Sequence, residues 1–480
     1  MVREKFKNFK IVNWIVVLVI VLGAGLRLKN FSVPPVDGHQ MRQTDTECVA
    51  YFLYSGKANF FRPKSCLMRP VSNTKGYFFL EMPFYESLIA ISYKIFGPEI
   101  WAARLVNLLL YIIGAVALWK FLGGWIDKKV GLWGLIIYSL MPGSIFFVGH
   151  AIHPDAMAVS LIWVSLYLIY KFSQNNNFKF LIGAGVAMGI SVASRPFGLI
   201  ALPLLVYFLW ERKSKWWNYL VLIFLSIVFY GWWRWWTHFL NLDMSWENWV
   251  LHGREKLFDL GILKNLIWKN VVGEVMGKTA SALAVLGWLV GFLKKNRKML
   301  PLGWWTLGVV VYWLMVPNGN LTHQYYADVY IPLVVILAAI GWNFIFEKSK
   351  ILGILVLPIL VWNGVRVSNY FLVPYIEAQK DIEIAQEIKQ EIGEDKKIIY
   401  LNRVNSVPLS LSHRQGWILG EWPTDVAGHI WAFMEMRNFK FDYIVEPKHK
   451  VDLKTEDWEI IKQNYPLVKF GEKINIFERR

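Results

Sequence analysis

Long apolar stretches recur along the whole chain, first at residues 11–28 and then at 100–122, 130–148, 155–172, 179–194, 197–210, 216–236, 280–293, 299–316, 329–346 and 351–370. A backbone inside hydrocarbon must satisfy its own N–H and C=O groups, so stretches of this length read as helices that cross a bilayer. The 480 residues are 55% hydrophobic and include 26 Trp, which excludes a water-soluble globule. Trp and Tyr at this abundance suit the two interfacial belts. A net charge of +17 would suggest nucleic acid in a soluble protein. Here the basic residues fall in short connections between apolar stretches, so the charge is a topology signal and no nucleic-acid partner is expected.

The sidedness follows from those connections. Residues 1–10 are basic, and no small-residue cleavage site follows residues 11–28, which predicts an uncleaved first helix with a cytoplasmic N-terminus. Residues 78–95 are apolar but carry Glu81, Glu86 and Lys94. If they do not cross, the connections holding Lys128, Lys171, Arg212, Lys295 and Lys348 all share the cytoplasmic side; if they cross, all of them flip outward. Residues 78–95 are therefore read as a helix on the outer surface, which leaves about eleven spans. Beyond residue 375 the pattern changes to a helical spacing over 376–393 and short apolar runs KIIYL, FDYIV and INIF. The expected fold is mostly α, a polytopic membrane protein with a long first outer loop carrying surface helices and a small C-terminal extracytoplasmic α/β domain. The expected boundaries are 1–374 for the membrane domain, with the loop at 29–99, and 375–480 for the C-terminal domain.

That loop opens with the most polar stretch of the chain, residues 34–50 (PPVDGHQMRQTDTECVA), which gathers Asp37, His39, Arg42, Gln43 and Asp45. A solvated loop is the plain reading, since connecting segments are polar for many reasons. Against it, the same parity brings other ionisable groups to the same side: Glu81; His150, His153 and Asp155 in GHAIHPDA; Arg195 in SRPFG; and His323, Tyr325 and Tyr326 in LTHQYYAD. Each alone has a plain explanation as a helix-end polar group or a belt tyrosine. Together they are an asymmetry, because ionisable groups at membrane depth are costly and usually line a site. Arg195 stands out as an isolated guanidinium at a helix junction. Residues 237–279 carry His252, Arg254 and several lysines among aromatics, a covering loop to which the sequence assigns no role. The two cysteines, Cys48 and Cys66, offer no metal-site spacing, and a disulfide between them is open if the loop faces an oxidising compartment.

The acidic stretch DGHQMRQTDT, the segment EMPFYESLIAISYKIFGPEIWAARLVNLLL, the turn ending in Asp155, ASRPFGLIALP and HQYYADVYIP follow one another in an order that resembles the GT-C glycosyltransferases. These use polyprenyl-phosphate-linked sugars, and the chain is most similar to bacterial family 39, the protein mannosyltransferases and the lipid A aminoarabinose transferase. The resemblance covers nearly the whole chain. It implies a carboxylate base in the first outer loop, inversion at the anomeric centre, and no cofactor. The usual Asp-Glu pair is absent here, since Asp37 precedes Gly38 and Asp45 precedes Thr46, so Asp37 and Asp45 both stand as candidates. Asp37 lies in the connector before the surface helix. Asp45 would sit inside that helix, in a first turn where the dipole favours an acid.

The chemistry accounts for the layout. No nucleotide sugars exist outside the cytoplasm, so an activated sugar must arrive on a lipid phosphate at the membrane surface. Transfer needs a base for the acceptor and donors for the leaving phosphate. Arg42 and Arg195 have the fork geometry for phosphate. His39, Gln43, Glu81, His150, His153, Asp155, His323, Tyr325 and Tyr326 are candidates to bind sugar or acceptor. No acidic pair has metal-ligand spacing, so no metal is expected. The partners expected are membrane lipids, the polyprenyl-phosphate sugar and an acceptor that the sequence does not identify, whether protein, lipid or glycan. A transporter or flippase of a lipid-linked saccharide is the alternative, although mid-membrane charges and an internal repeat, its usual signs, are not evident. A structural scaffold would leave the outer polar set unexplained.

Overall fold

The computed structural model describes residues 2–68, 75–240, 249–402, 405–419, 441–448, 461 and 463–478. They divide into two compact units, residues 1–31 with 104–372, and residues 32–103 with 373–480. The cut between residues 372 and 373 lies beside the expected boundary at 374, while residues 32–103 are grouped apart from the membrane helices. The first long connection belongs with the C-terminal residues and not with the helices on either side of it.

The first unit is helical. Five helices are long and apolar enough to cross a membrane, Ile100–Trp125, Asp155–Asn175, Trp216–Phe239, Gln324–Lys348 and Lys350–Phe371. A sixth span arises if the pair Leu260–Val275 and Lys278–Leu293, bent by 108°, counts as one. Shorter apolar helices occupy Val12–Leu26, Phe178–Ser194, Pro196–Glu211 and Met299–Met315. The stretch expected as one span at 130–148 is broken: the helix Lys128–Leu140 ends before Met141, which is extended ahead of Pro142, and a π-helix follows at Ser144–Val148. Proline disfavours the α conformation in the residue before it, which explains the stop. Arg27, fully buried, braces the break. Its guanidinium lies 3.5 Å over the Tyr111 ring and donates to the carbonyls of Gly23, Ser139 and Ser144. Helices Lys278–Leu293 and Ile331–Lys348 pack backbone to backbone: a Cβ on Gly287 would stand 1.9 Å from the Leu337 carbonyl oxygen, and one on Gly341 would stand 2.1 Å from that of Leu283. Small residues at such crossings replace the hydrophobic drive that lipid removes.

The second unit is built on a five-stranded sheet of β1 (Lys397–Leu401), β2 (Gln415–Leu419), β3 (Tyr443–Pro447), β4 (Leu467–Phe470) and β5 (Ile474–Glu478), in the order β2-β1-β3-β5-β4. β1 pairs parallel with β2 and β3, while β5 runs antiparallel to β3 and β4. Helix Ala378–Glu391 lays Ile384 and Ile388 on the face formed by Ile398, Tyr400, Val445 and Ile476. The opposite face buries Ile399, Trp417, Ile444 and Phe477, and Met68 of the first connection joins them. Residues 66–68 continue the sheet past β2, with Gly416 N–H donating to the Cys66 carbonyl at 2.9 Å and Met68 N–H to the Gly416 carbonyl at 2.8 Å. An exposed sheet edge is thereby covered. Cys48 and Cys66 form a disulfide, with Cα atoms 5.9 Å apart, fastening the helix Gln40–Tyr54 to that edge. Of the expected surface helix at 78–95, the helical part is Phe84–Phe96, too short to span a bilayer.

Candidate active site

In the second unit, the residues before and within helix Gln40–Tyr54 make one cluster. Asp37 is 5% exposed and accepts a hydrogen bond from Gln43 Nε2 at 2.6 Å; the same amide donates to the Gly38 carbonyl at 2.6 Å. The chain reaches this geometry through His39, which takes a left-handed φ of 56° and leads into the helix without capping it by its side chain. The turn folds Asp37 back over the first helical residues, where Gln43 meets it. Arg42 forms an ion pair with Glu81, and its guanidinium stands 5.4 Å from the Phe78 ring centroid. Glu86, on the first turn of Phe84–Phe96, is fully buried. Burial pushes its carboxyl well above the ordinary carboxylate range, and neighbouring Glu81 pushes it further. The protonated form of Glu86 is thereby favoured.

Asp45 is placed elsewhere. It follows five residues of the helix, so it lies in the second turn and not in the first, and the dipole argument for it fails. Its carboxylate accepts from Ser65 Oγ, next to the disulfide.

In the first unit, the helix N-terminus at Asp155 meets Arg195 and the segment Gln324–Tyr330. Arg195 is not isolated. Its Nε lies 3.0 and 3.1 Å from the two Asp155 oxygens and its Nη2 lies 2.8 Å from Oδ2. Asp155 is also bonded to His153 Nδ1, and Arg195 Nη2 stands 3.2 Å from the same nitrogen. The Arg195 guanidinium sits 5.3 Å from the Tyr325 ring centroid, whose ring is 4.5 Å from that of His153. The junction expected for Arg195 is present, at the end of helix Phe178–Ser194 ahead of Pro196, but its counter-ion is 40 residues away, where local sequence gives no sign of it. A pocket lies over this pair, lined by Asp155, Arg195, Phe197, Tyr312, Tyr325, Tyr326 and Val329. The His323 ring lies tilted beside that of Tyr325, with centroids 5.1 Å apart. His150 has a local role, with Nδ1 3.1 Å from the Arg27 carbonyl and its ring stacked on Phe146.

The structure therefore brings together Asp37, Arg42, Gln43 and Glu81 in one unit, and His153, Asp155, Arg195, Tyr325 and Tyr326 in the other. Three ionisable features escaped the sequence reading. One is Glu86. Another is Asp328, fully buried, with neither carboxylate oxygen hydrogen-bonded among the described residues. The third is the pair Glu47–His413, 2.9 Å apart across 366 residues of chain. Asp328 and Glu86 had a local signal, each as an acid inside an apolar run. Among the described residues no three His, Cys, Asp or Glu group to hold a metal ion.

Comparison with known proteins agrees with this architecture. The family model described as dolichyl-phosphate-mannose-protein mannosyltransferase matches residues 81–235, a stretch that contains Glu81, His153, Asp155 and Arg195. No curated protein sequence matches the chain. Among solved structures it is similar to ArnT from Cupriavidus metallidurans bound to undecaprenyl phosphate, with a TM-score of 0.67 and 12% identity over 97% of this chain and 98% of that one. It is also similar to the Archaeoglobus fulgidus oligosaccharyltransferase in complex with Zn and sulfate, with a TM-score of 0.55 and 11% identity over 89% of this chain and 68% of that one. The oligosaccharyltransferase AglB from the same organism, with an inhibitory peptide and a dolichol-phosphate, gives a TM-score of 0.53 at 10% identity, over 90% and 69% of the two chains. Identities this low speak for the fold. The chain is a multi-pass membrane protein with the fold shared by ArnT and the archaeal oligosaccharyltransferase.

Proposed function

We propose that this protein is a glycosyltransferase that moves a sugar from a polyprenyl-phosphate donor to an acceptor hydroxyl or amine on the outer side of the membrane. The observation that carries the reading is Asp37, a buried carboxylate oriented by Gln43 next to the Arg42–Glu81 pair, in a chain whose fold matches an ArnT bound to undecaprenyl phosphate. Asp37 takes the proton of the acceptor as its oxygen or nitrogen attacks the anomeric carbon. The bond from that carbon to the phosphate oxygen breaks, the polyprenyl phosphate departs, and a single displacement inverts the centre. Arg42 in the second unit and Arg195 in the first, each already oriented by a carboxylate, are the two alternative phosphate-binding cations. Tyr325 and Tyr326 line the pocket at Arg195, where they offer rings and hydroxyls to a ligand. Membranes containing the protein, given radiolabelled polyprenyl-phosphate sugars, should form a labelled product that control membranes do not. Donor that changes leaflet without transfer would instead favour the flippase reading.

The orientation belongs to the same proposal, with the N-terminus and Lys128 cytoplasmic and Glu99 and the C-terminal sheet outside. The basic connections and the Cys48–Cys66 disulfide, which an oxidising compartment permits, support it. Single cysteines at exposed Lys128, Lys213 and Glu99, in a chain with Cys48 and Cys66 replaced, should label from opposite sides, with only Glu99→Cys reached by an impermeant reagent in intact cells. Labelling of Lys128→Cys and Glu99→Cys from the same side would overturn this topology.

A further inference from the structure

His413 lies outside everything the transfer chemistry uses, yet its side chain is aimed at the helix that carries Arg42, Gln43 and Asp45. It sits in the turn between Val407–Leu411 and β2, at a left-handed φ of 55°. A non-glycine residue holds that conformation only where its surroundings fix it, because it costs on the order of 1–3 kcal/mol. Here the fixing group is adjacent. The Arg414 guanidinium donates to the Ile392, Lys389 and Ser412 carbonyls, which locks the turn to the end of helix Ala378–Glu391.

From that anchored turn the His413 ring stacks on Tyr51 at 3.7 Å and 10° between planes, and its Nε2 lies 2.9 Å from Glu47 Oε2. The other Glu47 oxygen accepts from Tyr93 OH at 2.8 Å, on the helix that follows Glu81. Glu47 and His413 are both at most 9% exposed, so this is a buried contact and not a solvated surface pair. Gln43 and Glu47 stand four residues apart and share one face of the helix. A rotation that frees Glu47 therefore also carries Gln43 away from Asp37.

We propose that His413 is a positioning residue for the transfer reaction, acting through Glu47 to fix the rotation of helix Gln40–Tyr54 so that Gln43 holds Asp37 and Arg42 meets Glu81. This makes the C-terminal sheet part of the catalytic apparatus, and it rests on the reading of Asp37 as the base. A displacement of about 1 Å at a reacting group costs roughly 100-fold in rate, so loss of the contact should lower kcat by about 10- to 100-fold with the donor KM little changed.

Two substitutions separate positioning from mere folding. His413→Asn tolerates the left-handed backbone but is too short to reach Glu47; His413→Gln can reach Glu47 but strains the turn. The expected result is that His413→Asn loses kcat out of proportion to any fall in melting temperature, whereas His413→Gln melts lower and retains most of kcat. Glu47→Gln should lower kcat similarly, and the His413→Asn/Glu47→Gln pair should be no worse than either alone. Hydrogen exchange on the full-length protein is the readout independent of activity: His413→Asn should deprotect amides in Gln40–Tyr54 and leave β1 and β3 unchanged. Wild-type kcat in His413→Asn, effects that multiply in the pair, or unchanged protection of Gln40–Tyr54 would each overturn the proposal. Absence of transfer by the wild-type protein would sink the transferase reading, and the exchange experiment would still decide whether the clamp exists.

Discussion

Asp37→Asn should lose nearly all sugar transfer while still binding the polyprenyl-phosphate donor. The substitution keeps the shape of the side chain, and the amide can still accept the bond from Gln43 Nε2, so the loop should keep its geometry. What disappears is the capacity to take a proton, and general-base assistance is typically worth about 10²- to 10⁴-fold in rate. Asp45→Asn is the internal comparison. Its carboxylate bonds to Ser65 Oγ, in the segment that the disulfide fastens to the same helix, and Asn can keep that contact. Asp45→Asn should therefore retain most of the transfer rate. Turnover measured with a saturating donor, alongside donor binding by thermal shift, gives both numbers. If both variants transferred sugar at near wild-type rates, the first connection would not be the catalytic centre and a transporter of lipid-linked saccharide would become the better reading.

Much of the architecture was legible because it rests on local patterns. Each expected stretch is helical over most of its length, and five helices, or six with the bent pair, are long and apolar enough to cross a membrane. The runs KIIYL and INIF fall in strands β1 and β5, and FDYIV leads into β3; their residues alternate or persist in burial. The two edge strands were not legible. β4 is exposed along its whole length, so no hydrophobic period marks it, and β2 begins with Gln415 and Gly416, a pair that reads as a turn. In the site, Asp37 ahead of the helix and Asp45 within it followed from the order of residues. The pairings that set the electrostatics did not. Arg42 finds Glu81 39 residues on, Arg195 finds Asp155 40 residues back, and Glu47 finds His413 366 residues on. A single sequence shows which groups carry charge; only the packing of distant helices and strands decides which charges neutralise one another.

That distinction sets what Arg195 is expected to do. A lone guanidinium would lose only its ligand when replaced, but Arg195 also compensates Asp155, which is 1% exposed. Removing one partner of a buried pair leaves an uncompensated charge and costs about 3–5 kcal/mol. Arg195→Ala and Asp155→Ala should each lower the melting temperature strongly, and the double variant should fall well short of the summed loss, as coupled neighbours do. Arg195→Lys separates stability from ligand binding, because it keeps the charge and gives up the planar fork. If Arg195 faces the donor phosphate, Arg195→Lys should keep most of the stability and weaken donor binding by roughly 10- to 100-fold, the scale of about 1.5–3 kcal/mol for a hydrogen bond to a charged group. Titration with polyprenyl phosphate in lipid nanodiscs, at a temperature where the variant is fully folded, reads the affinity directly. Wild-type affinity in a folded Arg195→Lys would show that the guanidinium serves Asp155 and the pocket wall alone, and the phosphate would then have to be held by Arg42.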